Sequence, residues 1–246
     1  MCGRFSLHLT DLAAVASALG VSLPPDAELP AWEPRYNVAP TQPSPIAIDD
    51  AEPTLTMARW GLLPHWAKDA GEGARAINAR VESAADKPSF RDSWRAQRCI
   101  VPATGYFEWK RLDDGEREPM WIHREDSAIM RMAGLWSRWR SPGGERLTTF
   151  TVLTQAARGS VAAIHDRMPI ELSKDGAAGW LAPVHTDAHA RDVISDGTLN
   201  TEHLRAHPVG KIVGNPRNDS RACIEAVEPA PARQQLTFDE LFGSGS

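Results

Sequence analysis

The chain has 246 residues, of which 42% are hydrophobic and 24% charged, and its formal net charge is −5. A chain of this length buries enough apolar surface to fold without disulfides or metals, and it has no apolar run near the roughly 18 residues of a membrane helix. Its three cysteines, Cys2, Cys99 and Cys223, fit neither a disulfide framework nor a zinc cluster. We therefore expect a protein of the reducing cytoplasm that uses no metal and no cofactor.

The N-terminal part of the chain is predicted to form a strand followed by a helix. Apolar and polar residues alternate over residues 5–9, which is typical of a half-buried strand. Residues 11–19 are predicted to form a short helix, with Thr10 or Asp11 as its N-cap and Gly20 at its end.

Short strand and helix patterns alternate along the rest of the chain. The proline-rich residues 21–45 are predicted to be irregular, and DDGE at 113–116 to be a hairpin turn. Strands are predicted at about 54–60, 98–110, 118–123, 128–137 and 147–154. Helices are predicted near 84–96, 158–164, 173–181, 187–195 and 201–206. This pattern favours an α+β fold, a single domain over 1–226 with a largely antiparallel, curved, barrel-like β-sheet core and flanking helices.

Charge is unevenly distributed along the chain. Residues 1–59 carry three basic and seven acidic side chains, a balance of −4, whereas residues 60–110 carry eight basic and six acidic, a balance of +2. An acidic protein does not make a large non-specific contact with DNA. A small positive cleft on an acidic body can still hold a short single strand.

The sequence opens with Met-Cys-Gly. Removal of an initiator methionine, which is usual before a small residue, would leave Cys2 with a free α-amine and a thiol on adjacent carbons. Such a 1,2-aminothiol condenses with an aldehyde to an imine and then closes a five-membered thiazolidine ring through sulfur. An α-amine has a pKa of about 7.7–8.0, so it is partly unprotonated at neutral pH. Cys2 is therefore a candidate nucleophile, and an inert small residue at the start of a strand is the alternative.

Eight short motifs occur in one order along the chain. They are MCGRF at 1–5, RYNVAP at 35–40, WGLLPHWA at 60–67, INARVES at 77–83, CIVPATGYFEWK at 99–110, AGLW at 133–136, IHDRMP at 164–169 and VGNPRN at 213–218. Together they resemble the SRAP family of SOS response-associated, abasic-site-processing proteins over about residues 2–226. The resemblance implies an α+β fold, binding of single-stranded DNA, and a covalent cysteine–abasic-site crosslink that shields the lesion.

The resemblance also implies three residues that act with Cys2. Asn78 matches the asparagine that senses the abasic site, and its amide offers both a donor and an acceptor. Glu108 matches the catalytic glutamate, and strand alternation places it beside aromatic bulk that can raise its pKa. His165 matches the family's histidine, which titrates near neutrality and can protonate the sugar ring oxygen. Without the resemblance, these would be an ordinary turn asparagine, strand glutamate and loop histidine.

Arginines near these residues are candidates for DNA contacts. Arg4, Arg80 and Arg167 each lie within two residues of a catalytic candidate, and a guanidinium binds phosphate through two parallel hydrogen bonds. Trp66 and the Pro40–Thr41 turn are candidate stacking or wedge elements beside the extruded sugar. The predicted DNA-binding set also includes two residues at motif positions, Asn37 and Thr154.

The function that we expect is a response to DNA damage. The protein binds single-stranded DNA and forms a thiazolidine between Cys2 and the ring-opened aldehyde of an abasic site, a lyase-like and largely single-turnover reaction. An alternative is a cysteine-type peptidase, with His165 and Glu108 completing a thiol triad that removes Met1. A second alternative is a non-catalytic single-strand binding module, whose salt-reversible binding would not depend on Cys2.

Residues 227–246 are predicted to be a flexible tail. A proline-rich spacer and two glutamines precede an apolar set, Leu236, Phe238, Leu241 and Phe242. Such a cluster resembles peptides that dock on the replication sliding clamp, and packing of the tail back onto the domain is the alternative. We expect a monomer that associates with the nucleoid when it is bound to DNA.

Overall fold

The computed structural model describes residues 2–24, 31–49, 52–183 and 186–229, which include only the first three residues of the predicted tail. The strands are β1 Arg4–Leu7, β2 Arg35–Val38, β3 Pro43–Asp49, β4 Pro53–Trp60, β5 Asn78–Arg80, β6 Arg98–Ala103, β7 Gly105–Arg111, β8 Arg117–Arg124, β9 Met130–Arg140, β10 Arg146–Ala156, β11 Arg167–Pro169 and β12 Leu204–Pro208. The α-helices are α1 Leu12–Leu19, α2 Val81–Ala84, α3 Arg91–Ala96, α4 Lys174–Leu181 and α5 Asp187–Gly197. Short 3-10 segments lie at Ala70–Arg75, Gly159–Ala163, Lys211–Gly214 and Arg221–Cys223.

Five strands close into a barrel in the order β10–β4–β3–β6–β9 and back to β10. The β10–β4 pair is parallel and the other pairs are antiparallel. Two short strands are attached to the end of β10: β5 pairs with it in parallel and β11 in antiparallel orientation. Closure leaves few free edges. The pairing of β5 and β11 with β10 brings the starts of these two short strands to the same end of β10.

A second sheet has the order β12–β8–β7–β1–β2, and all its pairs are antiparallel. The main core lies between this sheet and the barrel. Phe5 of the sheet packs edge-on against Trp60 of the barrel at 5.0 Å between ring centroids, and Trp60 stacks on Phe150 at 6.3 Å. Each of these fully buried aromatic side chains stabilises the fold by about 1.5–3 kcal/mol. This layered arrangement agrees with the predicted α+β, barrel-like fold.

The prediction for α1 is confirmed at both ends. Asp11 accepts a hydrogen bond from the backbone N–H of Ala14 at 2.7 Å, and Gly20 adopts a left-handed φ of 72°. Leu12 and Val15 turn one face of the helix into the core. The longest α-helix in the described ranges has 11 residues. No helix in these ranges is both long and apolar enough to cross a membrane.

Most predicted strands are also confirmed. Those at 54–60, 118–123, 128–137 and 147–154 correspond to β4, β8, β9 and β10. The run at 98–110 divides into β6 and β7 at Thr104. The DDGE turn joins β7 to β8, with the N–H of Leu112 donating to the carbonyl of Glu116 at 2.9 Å.

The prediction that residues 21–45 are irregular throughout is wrong. They contain β2 and the start of β3. Pro43 and Pro45 fit into β3 because they lie where it pairs with β4 alone. Pairing with β6 is confined to Ala47 and Ile48, so the missing proline N–H groups fall outside that ladder.

The predicted helix at 201–206 is also wrong. Residues Leu204–Pro208 form β12, which pairs with β8 along its whole length. A helix of so few residues has only one or two internal hydrogen bonds, whereas an edge strand uses the backbone groups already offered by its neighbour. In the other helical regions, 84–96 contains α3 but only the last residue of α2, and 158–164 contains the 3-10 segment Gly159–Ala163.

Candidate active site around Cys2

Pairing between β1 and β7 places Cys2 beside Glu108. Arg4 lies opposite Phe107 and Phe5 opposite Tyr106. Continued by one residue, this register sets Gly3 opposite Glu108, so that Cys2 is the chain neighbour of the residue facing Glu108. Cys2 is fully buried, and its Sγ lies 3.6 Å from the carbonyl oxygen of Arg4. Burial raises the pKa of the Cys2 thiol well above its ordinary value, and the charge of Glu108 acts in the same direction. The thiol is therefore protonated at neutral pH.

Glu108 points into the protein because of strand alternation. It shares a face of β7 with Tyr106 and leaves only 2% of its surface exposed. Burial raises the pKa of Glu108 to about 7, and the negative charge of Asp166 adds to the shift. A carboxyl group with this pKa can both accept and donate a proton near neutral pH.

His165 faces Glu108 with Nε2 3.7 Å from Oε2. Its Nδ1 lies 3.0 Å from the backbone N–H of Arg167 and 2.8 Å from Oδ1 of Asp166. These two contacts require opposite roles of Nδ1, because an amide donor needs an acceptor and a carboxylate needs a donor. We favour the amide contact, since the backbone N–H is fixed whereas the Asp166 side chain is 79% exposed and can turn into water. Neutral His165 then carries its proton on Nε2, toward Glu108.

Burial has the opposite effect on the histidine and on the glutamate. It lowers the pKa of His165 below 6.5, although the charge of Asp166 partly opposes the shift. Neutral imidazole and a partly protonated carboxyl group therefore face each other near pH 7. Glu108 can therefore accept or donate a proton, and the Nε2–H of His165 can donate a hydrogen bond beside it.

Asn78 holds the backbone of the cysteine. It starts β5, which pairs with Val152–Thr154 of β10. Its Nδ2 donates to the carbonyl oxygen of Cys2 at 2.6 Å. Because a carbonyl can only accept, the amide nitrogen must face Cys2, and the amide oxygen points elsewhere. That oxygen is buried and has no hydrogen-bond partner among the described residues, so it is available to a hydroxyl group.

The structure thus brings together the four predicted catalytic residues, Cys2, Asn78, Glu108 and His165. They come from four separate parts of the chain: the segment before β1, β5, β7 and the loop before β11. The described residues contain no group of three or more His, Cys, Asp or Glu side chains suited to a metal ion. These four residues offer proton transfer beside the buried thiol of Cys2.

Arg4 and Asn37, both predicted DNA contacts, hydrogen-bond to a neighbouring turn. The guanidinium of Arg4 donates to the carbonyls of Val213 at 2.7 Å and Gly214 at 3.1 Å, and to Oδ1 of Asn37 at 3.1 Å. Asn37 is fully buried, and its Nδ2 donates to the carbonyls of residues 213, 215 and 218. Their donors are therefore directed at the 211–218 turn.

Arg167 and Thr154, also predicted DNA contacts, are both buried and hydrogen-bond to each other. Arg167 is 8% exposed and forms a bidentate pair with Glu82 at 2.7 and 2.9 Å. It also donates to the carbonyl of Thr154 at 2.6 Å, and Thr154 itself is fully buried. Two of the Arg167 nitrogens are thus occupied by Glu82, whose own side chain is 53% exposed. The pair ties β11, next to His165, to α2, next to Asn78.

The other predicted contact residues lie at the surface. Arg80 is exposed two residues after Asn78, and Trp66 is 50% exposed. Thr41 is exposed and has a φ of 70°, a left-handed conformation that is rare for a β-branched residue and costs energy. Its N–H donates to the carbonyl of Trp60 at 2.8 Å, which holds the Pro40–Thr41 turn in place.

The sequence analysis did not identify two further residues of the candidate site, Tyr106 and Glu82. Tyr106 lies fully buried on the same face as Glu108, and its hydroxyl has no hydrogen-bond partner among the described residues. The alternation that pointed to Glu108 could have indicated it. Glu82 is the second, and its role depends on Arg167, 85 residues away in sequence. No local signal reveals such a partner.

Comparisons with known proteins agree along nearly the whole chain. A family model described as SOS response associated peptidase (SRAP) matches residues 1–216. The chain is 37% identical over 229 residues to the abasic site processing protein YoqW of Bacillus subtilis (strain 168), covering 92% of this chain and 100% of YoqW. It is 34% identical over 231 residues to the abasic site processing protein YedK of Escherichia coli (strain K12), covering 92% and 100%. A solved structure from Bacteroides thetaiotaomicron matches with a TM-score of 0.77 at 25% identity, covering 91% and 100%.

Proposed function

The chain belongs to the SRAP family, and from that premise we propose that it processes abasic sites in single-stranded DNA by capturing them covalently at Cys2. The relatives YoqW and YedK bear the name abasic site processing protein. One observation carries the proposal for this chain. Asn78 holds the Cys2 carbonyl at 2.6 Å, beside a Glu108–His165 pair separated by 3.7 Å.

The reaction begins once Met1 has been removed and Cys2 has a free amine. The amine attacks the aldehyde carbon of the ring-opened sugar, a C–N bond forms, and the carbonyl oxygen leaves as water to give an imine. The thiol then adds to the imine carbon. A C–S bond forms while the thiol proton passes to nitrogen, which closes the thiazolidine without loss of further atoms.

The order of these steps follows from the pKa values. A buried, protonated thiol is a weak nucleophile, whereas an α-amine with a pKa of about 7.7–8.0 is partly free at neutral pH. The amine therefore reacts first, and the thiol follows once the imine carbon lies next to it. Sulfur attack also needs a base for the thiol proton.

Glu108 and His165 supply the proton transfers. With its pKa raised to about 7 by burial, Glu108 can take a proton from the attacking amine and return one to the departing hydroxyl. His165 carries its proton toward the same place and assists the opening of the sugar ring. Positioned acid–base groups of this kind contribute about 10²–10⁴-fold to a rate.

Asn78 places the two reactants. Its Nδ2 fixes the Cys2 carbonyl, and its buried Oδ1 offers an acceptor for a sugar hydroxyl. One amide thereby orients the nucleophile and the lesion at once. A fixed relative orientation of two reactants lowers the entropic part of the activation barrier.

In this proposal the exposed residues of the predicted DNA-binding set contact the DNA directly. Arg80, Trp66 and the Pro40–Thr41 turn can reach a strand, whereas Arg4, Asn37, Thr154 and Arg167 position the elements around it. The acidic body of the protein, with a net charge of −5, restricts the contact to a short stretch. The partner is therefore single-stranded DNA held locally at its lesion.

A denaturing gel tests the proposal. The protein is incubated with a single-stranded oligonucleotide that contains one abasic site, and with the same oligonucleotide lacking the lesion as control. We expect a denaturation-resistant adduct with the first only, and none with Cys2→Ala. Cys2→Ser should retain an imine that borohydride traps but lose the stable ring. Crosslinking by Cys2→Ala at the wild-type rate would overturn the proposal.

A second candidate activity is release of Met1 by the protein itself. The family model carries the word peptidase in its description, and Glu108 and His165 flank the residue that follows Met1. Hydrolysis of the Met1–Cys2 peptide bond consumes one water and frees the amine that the capture reaction needs. Intact mass of purified wild type and Glu108→Gln tests it: retention of Met1 by the variant alone supports self-processing, and loss of Met1 from both contradicts it.

A further inference from the structure

A groove opens on the surface next to the candidate active site. It lies between the end of the β7–β8 hairpin and the 211–214 turn. Its lining residues are Trp109, Gly115, Glu116, Arg117, Pro119 and Lys211. Trp109 belongs to the motif at 99–110 but has no role in the reaction proposed above, and the other five residues lie outside the motifs.

Strand pairing connects this groove to Cys2. The ladder between β1 and β7 ends at Arg4, opposite Phe107. The β7–β8 hairpin continues beyond that point, with Trp109 opposite Pro119 and residue 111 opposite residue 117. The hairpin therefore projects past the start of β1. Its free end forms a wall along a DNA strand that runs from Cys2 toward the hairpin tip.

The opposite wall is tied to the site as well. Arg4, two residues from Cys2, donates to the carbonyls of Val213 and Gly214 at 2.7 and 3.1 Å. These two residues end the 3-10 segment that begins at Lys211. Arg4 thus ties the turn that begins at Lys211 to the segment that carries Cys2.

The groove has the chemistry of a single-strand binding site. Trp109 is partly exposed and offers an aromatic face, on which bases of any sequence can stack. Arg117 and Lys211 are exposed cations on opposite walls, and the charge of Arg117 reaches His165, whose pKa it helps to lower. Glu116 lies 3.5 Å from Lys211 and reduces the positive charge of the groove.

We propose that this groove binds the nucleotide adjacent to the abasic site, with its base on Trp109 and its phosphate between Arg117 and Lys211. The proposal rests on abasic-site capture at Cys2 and adds a specific path for the flanking strand. The phosphate displaces Glu116 from Lys211. Binding is independent of the identity of the base, because stacking on an aromatic face requires no base-edge hydrogen bond.

Four variants and one control test the groove. Arg117→Ala and Trp109→Leu remove a cation and the stacking face, Trp109→Tyr keeps an aromatic ring, and Glu116→Gln removes the opposing charge. Arg191→Ala is the control, since it deletes an exposed cation on α5, which packs against α3 and α4. The readout is the DNA concentration that gives half-maximal adduct with an abasic single strand carrying nucleotides on both sides of the lesion.

We expect Arg117→Ala and Trp109→Leu to raise this concentration about fivefold or more, the lower end of the range for loss of base stacking. Glu116→Gln should lower it, and Trp109→Tyr and Arg191→Ala should leave it within about twofold. Melting temperatures separate a folding defect of Trp109→Leu from a binding defect, and the exposed Arg117 and Glu116 variants remain decisive if that variant does not fold.

A second substrate distinguishes this proposal from the proposed function. With 2-deoxyribose 5-phosphate, which has an aldehyde form but no flanking nucleotide, Trp109→Leu, Trp109→Tyr and Glu116→Gln should modify Cys2 at the wild-type rate. Absence of any adduct with the wild-type protein would overturn capture at Cys2 itself. Normal capture with unchanged half-maximal concentrations in Arg117→Ala and Glu116→Gln would overturn the groove alone.

Discussion

Nε2 of His165 lies 3.7 Å from Oε2 of Glu108, and burial shifts the pKa values of the two groups in opposite directions. The pKa of Glu108 rises to about 7, and that of His165 falls from its ordinary value. Near neutral pH a carboxyl group that can accept or donate a proton therefore faces a neutral imidazole. Both groups lie next to Cys2, the residue that we propose captures the lesion.

The rate of crosslinking should therefore depend on pH through Glu108. As pH rises through about 7, Glu108 loses its proton and becomes able to accept one from the attacking amine. We expect the single-turnover rate to increase between pH 6 and pH 8 (on the order of one pH unit either side of the pKa). Glu108→Gln should be slower by about 10²–10⁴-fold and lose the step near pH 7. A variant that retains the wild-type profile would show that another group titrates.

Glu108 should also make the protein less stable at high pH. In the unfolded chain its carboxyl ionises above 4.5, whereas in the folded protein it keeps its proton up to about 7. The folded state binds more protons in this interval, so stability falls as pH rises from 4.5 to about 7. Glu108→Gln removes the effect and should gain about 2–3 kcal/mol over wild type at pH 8 relative to pH 5. Urea unfolding at both pH values measures it, and equal differences would contradict the buried, protonated form.

Asn78 should matter for reaction more than for binding. Asn78→Ala leaves the Cys2 carbonyl without its donor, which costs about 1 kcal/mol of stability. We expect a loss of about 10²-fold in crosslinking rate, since both reactants lose their common partner. Affinity for the same DNA, measured with Cys2→Ala in the background to prevent capture, should change little. An equal loss of affinity and rate would place Asn78 among the DNA contacts instead.

Arg167 and Arg80 should behave differently although both are motif arginines. Arg167→Ala removes the bidentate pair of this buried arginine with the exposed Glu82 and its hydrogen bond to the carbonyl of Thr154, and should destabilise the protein by about 1–3 kcal/mol. Arg80→Ala, at an exposed position, should cost less than about 0.5 kcal/mol. It should instead lower the slope of log affinity against log salt by about 0.7. Unfolding curves and salt titrations of the two variants test the distinction, and a reduced salt slope for Arg167→Ala with full stability would return Arg167 to the phosphate contacts.

The elements that could be predicted from the sequence are those whose signals are local. Asp11 and Gly20 define α1 because a cap acts within one turn of its helix. The period of two in β7 assigns Glu108 to one face and Trp109 to the other, whatever packs against them. The order of the motifs likewise indicated the family, since it requires no knowledge of contacts.

The directions of the polar side chains, in contrast, depend on contacts that form only in the folded protein. Arg4, Arg80 and Arg167 look alike in sequence, yet Arg4 meets the carbonyls of a turn some 209 residues away and Arg167 meets Glu82, while Arg80 remains at the surface. A guanidinium takes whichever acceptors folding brings within about 3 Å. Those acceptors are distant in sequence, so no local pattern could distinguish an arginine that holds the site together from one that meets DNA.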